Sequence, residues 1–326
     1  MLTDNHGRPV NYLRLAVTDR CNLRCFYCMP AHGLEWLERK ELMTWEEMLQ
    51  MCSVLVKMGI EKIRLTGGEP FARRNFMEFL TALSKIDGLK EITLTTNGVL
   101  TAPYISRLKE LGIKSVNLSL DTLDRERFKN ITRRDELPKV LDTLHELLRH
   151  DMRVKLNAVV MAGKNTEDII PLVELAKELP VSVRFIEEMP FNGNGTYTGL
   201  IWDHIKILDT IKNRYPDMQK VTDPKYSTSY NYSIPGHKGT VGIIAAYTRS
   251  FCGTCNRIRI TPQGMLKTCL YDSGVLNVKD LLRAGHDETA MQEAIIAAIN
   301  TKAKDGWEAE RNRKEFVSES MAEIGG

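Results

Sequence analysis

Residues 12–30 read Tyr-Leu-Arg-Leu-Ala-Val-Thr-Asp-Arg-Cys-Asn-Leu-Arg-Cys-Phe-Tyr-Cys-Met-Pro, a short apolar run that stops at a polar loop carrying three thiols. The run from Tyr12 to Thr18 has the alternation and branched side chains of a strand. Five more such runs follow it, at Lys62 to Thr66, Glu91 to Thr95, Ser115 to Leu120, Val154 to Val160 and Val181 to Glu187. Helix signals lie between them. Thr44-Trp45-Glu46-Glu47 forms a capping box whose helix Gly59 can close, and Ala102-Pro103 opens another that Gly112 can close.

Such alternation predicts parallel strands joined by right-handed crossovers, in a doubly wound sheet or a (β/α) barrel. The polar residues favour the barrel. Thr18-Asp19-Arg20-Cys21, Thr66-Gly67-Gly68-Glu69-Pro70, Thr95-Thr96-Asn97-Gly98, Ser119-Leu120-Asp121 and Glu187-Glu188-Met189-Pro190 all stand where a strand ends. In a barrel these tips meet at one face, where active sites sit, whereas a doubly wound sheet splits them across its switch point. The barrel is expected over residues 1–215. A second region, 216–326, opens on a stretch rich in Pro, Ser, Tyr and Asn as far as His237 and continues in shorter strand-like pieces. Helical patterns follow at Val278 to Leu282 and Glu288 to Lys304.

With 43% hydrophobic and 27% charged residues, the 326-residue chain is too apolar for overall disorder. Its length supports a core without metal or disulfide, so a metal would be functional. A net charge of +3 excludes a general nucleic-acid or membrane-surface binder. Neither a run of 18 apolar residues nor a secretory h-region occurs, and a cytoplasmic protein is expected. In that reducing compartment the seven cysteines point to metal or redox chemistry.

Cys21, Cys25 and Cys28 are one ligand short of a closed site, which suits a [4Fe-4S] core with one iron left open to an external ligand. Cys252, Cys255 and Cys269 repeat the arrangement. His237 and His286 lie outside standard zinc spacing from them, so a second open cluster is favoured over zinc, which stays the alternative. Cys52 shares an apolar helical stripe with Met48 and Leu55 and reads as a small buried hydrophobe. Arg14, Arg64 and Lys155 lie on strands, where buried charge needs a partner. Arg257 and Arg259 share one strand face. Ion pairs to carboxylates such as Glu187 or Glu188 are one way to satisfy such a set. Thr95 and Ser119 also read as strand-end caps and Met189 as core packing.

The cysteine loop, with Tyr27 before its last thiol, and the Gly67-Gly68-Glu69-Pro70 tip resemble the radical S-adenosylmethionine superfamily. Within it, the paired cysteine sets, Asn256-Arg257-Ile258-Arg259 and Ile324-Gly325-Gly326 resemble the GTP 3′,8-cyclase family of molybdenum cofactor biosynthesis. The likeness covers nearly the whole chain and is weakest from Asp217 to Lys238. It implies an incomplete (β/α)6 TIM-like barrel with a C-terminal α+β extension carrying a second cluster. Two [4Fe-4S] clusters and S-adenosylmethionine are the implied cofactors, with Tyr27, Gly68, Ser119 and Met189 contacting the latter. GTP contacts are implied for Arg14, Arg64, Thr95, Lys155, Arg257, Ile258 and Arg259, and catalytic roles for Arg257, Gly325 and Gly326.

The implied reaction is that of a lyase: reductive cleavage of adenosylmethionine, hydrogen abstraction from C3′ of GTP, and closure onto C8 of guanine. An electron donor such as flavodoxin or ferredoxin and the downstream cyclic pyranopterin monophosphate synthase are the implied partners, with room for a homodimer and no nucleic-acid or membrane partner. The competing readings are a two-cluster radical enzyme acting on a peptide and a non-enzymatic iron-sulfur protein.

Overall fold

The structure, a computed structural model, describes residues 2–193, 197, 199–313 and 319–325. Its elements in chain order are β1 (Tyr12–Ala16), α1 (Trp45–Met58), β2 (Lys62–Thr66), α2 (Phe76–Leu83), β3 (Glu91–Thr96), α3 (Ile105–Glu110), β4 (Ser115–Ser119), α4 (Arg125–Thr132), α5 (Leu137–Arg149), β5 (Arg153–Val160), α6 (Ile169–Glu178), β6 (Ser182–Glu187) and α7 (His204–Arg214). There follow β7 (Gln219–Lys220), β8 (Tyr230–Ser233), β9 (Thr240–Ile244), β10 (Arg257–Ile260), β11 (Met265–Lys267), β12 (Leu276–Asn277), α8 (Val278–Arg283), α9 (Glu288–Ile299), α10 (Gly306–Arg311) and α11 (Met321–Ile324). All six runs read as strands are strands.

Local chemistry sets the boundaries. The Glu47 N–H donates to Thr44 Oγ1 at 3.2 Å and the Thr44 N–H to the Glu47 carboxylate at 2.7 Å, closing the capping box that starts α1. Gly59, at φ 115°, takes the left-handed position that ends it. Cys52 is buried on this helix, and burial pushes its thiol up to about 12, which leaves it inert. The helix expected to reach Lys304 stops instead at Ile299. Asn300 and Thr301 are poor helix formers, and the Lys302 ammonium turns inward to the carbonyls of Cys255 and Arg257.

Two compact units interleave along the sequence: Met1–Asn22, Leu34–Leu94 and Cys252–Gly326 make the first, Leu23–Gly33 and Thr95–Phe251 the second. In the first unit β10, β1, β2 and β3 are parallel neighbours, and β11 and β12 continue from β10 antiparallel. The second unit has β4, β5, β6 and β9 parallel, with β8 and β7 antiparallel beyond β9. Residues beyond 216 therefore supply short antiparallel strands, as their texture suggests, and also a parallel neighbour for β1 and one for β6.

Alternate side chains of the parallel strands make the apolar core. Leu13 and Leu15, Ile63 and Leu65, and Ile258 and Ile260 are core residues of the first unit; Val154, Leu156 and Ala158 with Val183 and Phe185 are core residues of the second. Each such side chain contributes about 1.5–3 kcal/mol when withdrawn from water. The period of two then sends Arg14, Arg64, Arg257 and Arg259 to the opposite face in one unit and Lys155 in the other. Among the described residues no helix is long and apolar enough to cross a membrane.

Candidate functional site

In the first unit, the Gly67-Gly68 tip lies directly on the segment that leads to Cys21. The Gly68 N–H donates to Thr18 O and the Glu69 N–H to Arg20 O, both at 2.8 Å. A Cβ on Gly68 would fall 2.2 Å from Arg20 O and 2.8 Å from Asp19 O, and one on Gly67 2.3 Å from Thr18 O. Only glycines allow this approach. Asp19, itself buried, accepts from the Leu37 N–H at 2.8 Å and so ties the same segment down from another direction.

The second cysteine set belongs to the same unit. Cys252 and Cys255 sit in one turn, the Cys255 N–H donating to Cys252 O at 3.1 Å. Cys269 is positioned by Asp272, whose Oδ2 accepts from the N–H groups of Thr268 and Cys269 at 2.7 Å. Burial opposes ionisation of the Cys255 thiol, but the charges of Arg257 and Lys302 outweigh it and bring the thiol down to about 6. Burial holds Cys269 up at about 11 and also raises Cys252. Among the described residues no group of three or more His, Cys, Asp or Glu is arranged to hold a metal ion. In a [4Fe-4S] core each thiolate binds its own iron, so three thiols need not converge on one point. The all-thiol donor set, with one member already favoured as thiolate, fits that group.

Beside these cysteines the strand register assembles two rows of side chains. Arg257, Tyr12, Lys62 and Glu91 stand abreast on β10, β1, β2 and β3; Arg259, Arg14, Arg64 and Thr93 form the next row on that face. Neighbouring strands are about 4.8 Å apart, so three guanidiniums are pressed side by side. Burial first, then the charges of Arg259, Arg64 and Arg257, push Arg14 well below its usual value. Burial and Arg257 bring Arg259 down to about 10. The Nε atoms of Arg14 and Arg64 are buried with no hydrogen-bond partner. Buried like charges are costly without an anion among them. Burial resists ionisation of Tyr12, yet Arg64, Arg14, Lys62 and Arg257 together lower its pKa. Ile258, between the two arginines of β10, is fully buried on the other face.

Gly325 closes this group of residues. Arg259 Nη1 donates to its carbonyl. At φ 78° its backbone is left-handed, and a Cβ there would meet Thr66 Cγ2 at 2.8 Å and Ala16 Cβ at 3.0 Å. Gly326 lies outside the described residues.

The second unit holds the remaining residues singled out from sequence. Cys25 and Cys28 share a tight turn, both Cys28 N–H and Met29 N–H donating to Cys25 O at 3.0 Å. The turn is backed by α4: Arg24 N–H donates to Thr132 O, Phe26 N–H to Ile131 O, and Arg133 Nη1 to the carbonyls of Arg24 and Met29. Tyr27 donates to Asp121 Oδ2 at 2.9 Å, and Asp121 Oδ1 accepts from the Val159 N–H at 2.8 Å. Burial pushes the Asp121 carboxyl up to about 6; burial and the Asp121 charge hold the Tyr27 phenol well above its usual value. Ser119 ends β4 beside Asn157, and Lys155 pairs in register with Asn117 and Ser182. Met189 is half-buried just past β6. Thr95 Oγ1 is buried without a hydrogen-bond partner. Glu187 is fully occupied within its own unit, its carboxylate accepting from the backbone and ring of His204 and the backbone and hydroxyl of Thr248.

Sequence reasoning missed Arg133, Asp121 and Asp272. Asp121 stood in a quoted strand tip, and its polarity at a buried position was the available signal. Asp272 acts through local loop bonds that carry no periodicity, and Arg133 through carbonyls 109 and 104 residues away in sequence, which no local rule connects.

Known proteins resemble this chain along most of its length. Residues 15–176 match the radical SAM superfamily and residues 181–307 match Molybdenum Cofactor Synthesis C. The mouse protein named molybdenum cofactor biosynthesis protein 1 is 41% identical over 304 residues, which are 93% of this chain and 48% of that protein. The chain thus spans about half the length of that relative. GTP 3′,8-cyclase of Syntrophomonas wolfei subsp. wolfei is 40% identical, with 100% of both chains covered. The crystal structure of Streptococcus suis SuiB bound to S-adenosylmethionine superposes with a TM-score of 0.63 at 16% identity, covering 90% of this chain and 68% of that one. That last likeness is one of fold, the incomplete α/β barrel. Identity near 40% along the whole of both chains goes further than fold, and the chain belongs to the GTP 3′,8-cyclase family of the radical S-adenosylmethionine superfamily.

Proposed function

We propose that this chain converts GTP to (8S)-3′,8-cyclo-7,8-dihydroguanosine 5′-triphosphate, the first step of molybdenum cofactor biosynthesis. The observation that carries the reading is the row of Arg259, Arg14 and Arg64, packed abreast, with the buried Nε donors of Arg14 and Arg64 lacking a hydrogen-bond partner. A triphosphate is a polyanion whose oxygens accept such forked donors in pairs. The cofactors are S-adenosylmethionine and [4Fe-4S] clusters, which together supply one-electron cleavage of the sulfonium and a hydrogen-abstracting radical.

The residues of the chain hold and orient. Cys21, Cys25 and Cys28 hold the first cluster; Tyr27, Gly68, Ser119 and Met189 contact adenosylmethionine, with Gly68 leaving room for backbone approach. Arg14, Arg64, Thr95, Lys155, Arg257, the Ile258 backbone and Arg259 bind GTP. Cys252, Cys255 and Cys269 hold the second cluster beside it. Arg257, Gly325 and Gly326 complete the catalytic set, and the protein around them keeps water from the reacting atoms. Residues 1–215 carry the first cluster and 216–326 the second. A flavodoxin- or ferredoxin-type donor supplies electrons in the cytoplasm, and the product passes to the cyclic pyranopterin monophosphate synthase.

Anaerobic incubation of the reduced, cluster-loaded protein with adenosylmethionine and GTP tests this: 5′-deoxyadenosine and the cyclic nucleotide should form together. Arg14→Ala and Arg64→Ala should each weaken GTP binding by about 1.5–3 kcal/mol, roughly ten- to a hundredfold. GTP affinity unchanged in both variants, with no cyclic product from the parent, would sink the assignment.

A further inference from the structure

Asp4, Arg8 and Lys302 form a buried ion cluster in the first unit that the proposed reaction leaves without a role. Lys302 is only 2% exposed, and its ammonium donates to the carbonyls of Cys255 at 3.1 Å and Arg257 at 3.0 Å. Arg8 donates through Nη1 to the carbonyls of Cys252 at 3.1 Å and Lys304 at 2.6 Å, and through Nη2 to Ala303 O at 2.9 Å. Asp4 lies between the two cations, 2.7 Å from Arg8 Nε and 3.6 Å from Lys302 Nζ. Its Oδ1 also accepts the N–H groups of His6 and Arg8. Two cations and one anion leave one net positive charge inside the protein.

For the fold alone this is an expensive arrangement, since each buried ion costs several kcal/mol of desolvation and apolar residues of similar volume would usually serve as well. What distinguishes it is where the donors end. Both cations terminate on backbone carbonyls of the 252–257 loop, including those of two cysteines of the second set. We propose that the Asp4–Arg8–Lys302 cluster is the positioning and charge-setting support of the redox group held by Cys252, Cys255 and Cys269. It fixes the loop that presents the thiols and places a net positive charge behind the group, which favours its reduced state. The proposal rests on the reading that these three cysteines bind a [4Fe-4S] cluster. Potentials of such clusters respond to nearby charge and to hydrogen bonding around their ligands.

The test reads that one cluster in the full chain with Cys21, Cys25 and Cys28 all replaced by Ala, using anaerobic redox titration followed by electron paramagnetic resonance. Lys302→Gln keeps a donor and removes the charge. At the poise where the parent cluster is half reduced, its reduced-to-oxidised ratio should fall about tenfold. Lys302→Arg should stay near the parent. Asp4→Asn keeps its shape and removes the anion, so its ratio should rise. A purely structural role gives no reason for shifts of opposite sign from two variants that each remove one charge, of opposite sign, from the same cluster. Shifts in the same direction, or unshifted potentials with iron retained, overturn the proposal alone. Should Lys302→Gln lose its iron, Asp4→Asn decides, an unshifted potential again overturning it. A parent that binds no cluster at those cysteines overturns both the proposal and the reading beneath it.

Discussion

Cys25→Ala should abolish reductive cleavage of S-adenosylmethionine, whereas Cys255→Ala should leave the first cluster in place. If each set holds a four-iron core by three thiolates, as proposed, deleting one leaves two irons without a protein ligand, and a cluster held by two thiolates is readily lost. The sets are separate in sequence, and each is fixed by its own supports: Cys25 and Cys28 by Arg133 and the end of α4, Cys269 by Asp272. Iron and acid-labile sulfide should therefore fall by about half in either variant. Only the Cys25 variant should lose 5′-deoxyadenosine formation altogether. Stoichiometric zinc at Cys252, Cys255 and Cys269 after strictly anaerobic purification would refute the second half of this expectation.

Gly68→Ala should be nearly as damaging, and for a steric reason. Its Cβ would lie 2.2 Å from Arg20 O and 2.5 Å from the carbonyl carbon of the same residue. These are backbone atoms, which cannot rotate away as a side-chain end can. The Asp19–Arg20 segment must move instead, and it leads straight into Cys21. Overpacking of this kind costs on the order of 1–3 kcal/mol. The expected result is a lowered melting temperature, weakened adenosylmethionine binding and poor loading of the first cluster, with iron at the second set retained. Parent-like affinity for adenosylmethionine, measured by anaerobic equilibrium binding, would show that the tip tolerates a methyl group and would remove Gly68 from the contact set.

Much of the framework was readable from periodicity and caps because those signals are local. The Thr44 capping box, the six strands and the alternation that sends Arg257 and Arg259 to one face each depend on residues a few positions apart. Pairing is different. Nothing near Arg257 indicates that β10 lies parallel to β1, because that choice is made by burial of Leu13, Leu15, Ile258 and Ile260 across a long sequence separation. The inward turn of Lys302 was hidden for a related reason: a helical pattern in the sequence does not show that carbonyls of a distant loop will capture the ammonium. Asp121 was visible as a polar tip residue, but its bond to Tyr27 joins segments that no local rule connects.

The place of β10 beside β1 also sets a timetable for the chain. At roughly 5–20 residues per second, β1 emerges during synthesis well before β10, which follows about 245 residues later and thus some 10–50 seconds behind. β2 can pair with β1 early, so Arg14 and Arg64 come together first, while the other edge of β1 keeps its amide groups unpaired and open to any passing strand. Arg259 joins them only when residues 257–260 dock, and the same docking covers that edge. The nascent chain thus passes from aggregation-prone to protected in the step that completes its arginine row.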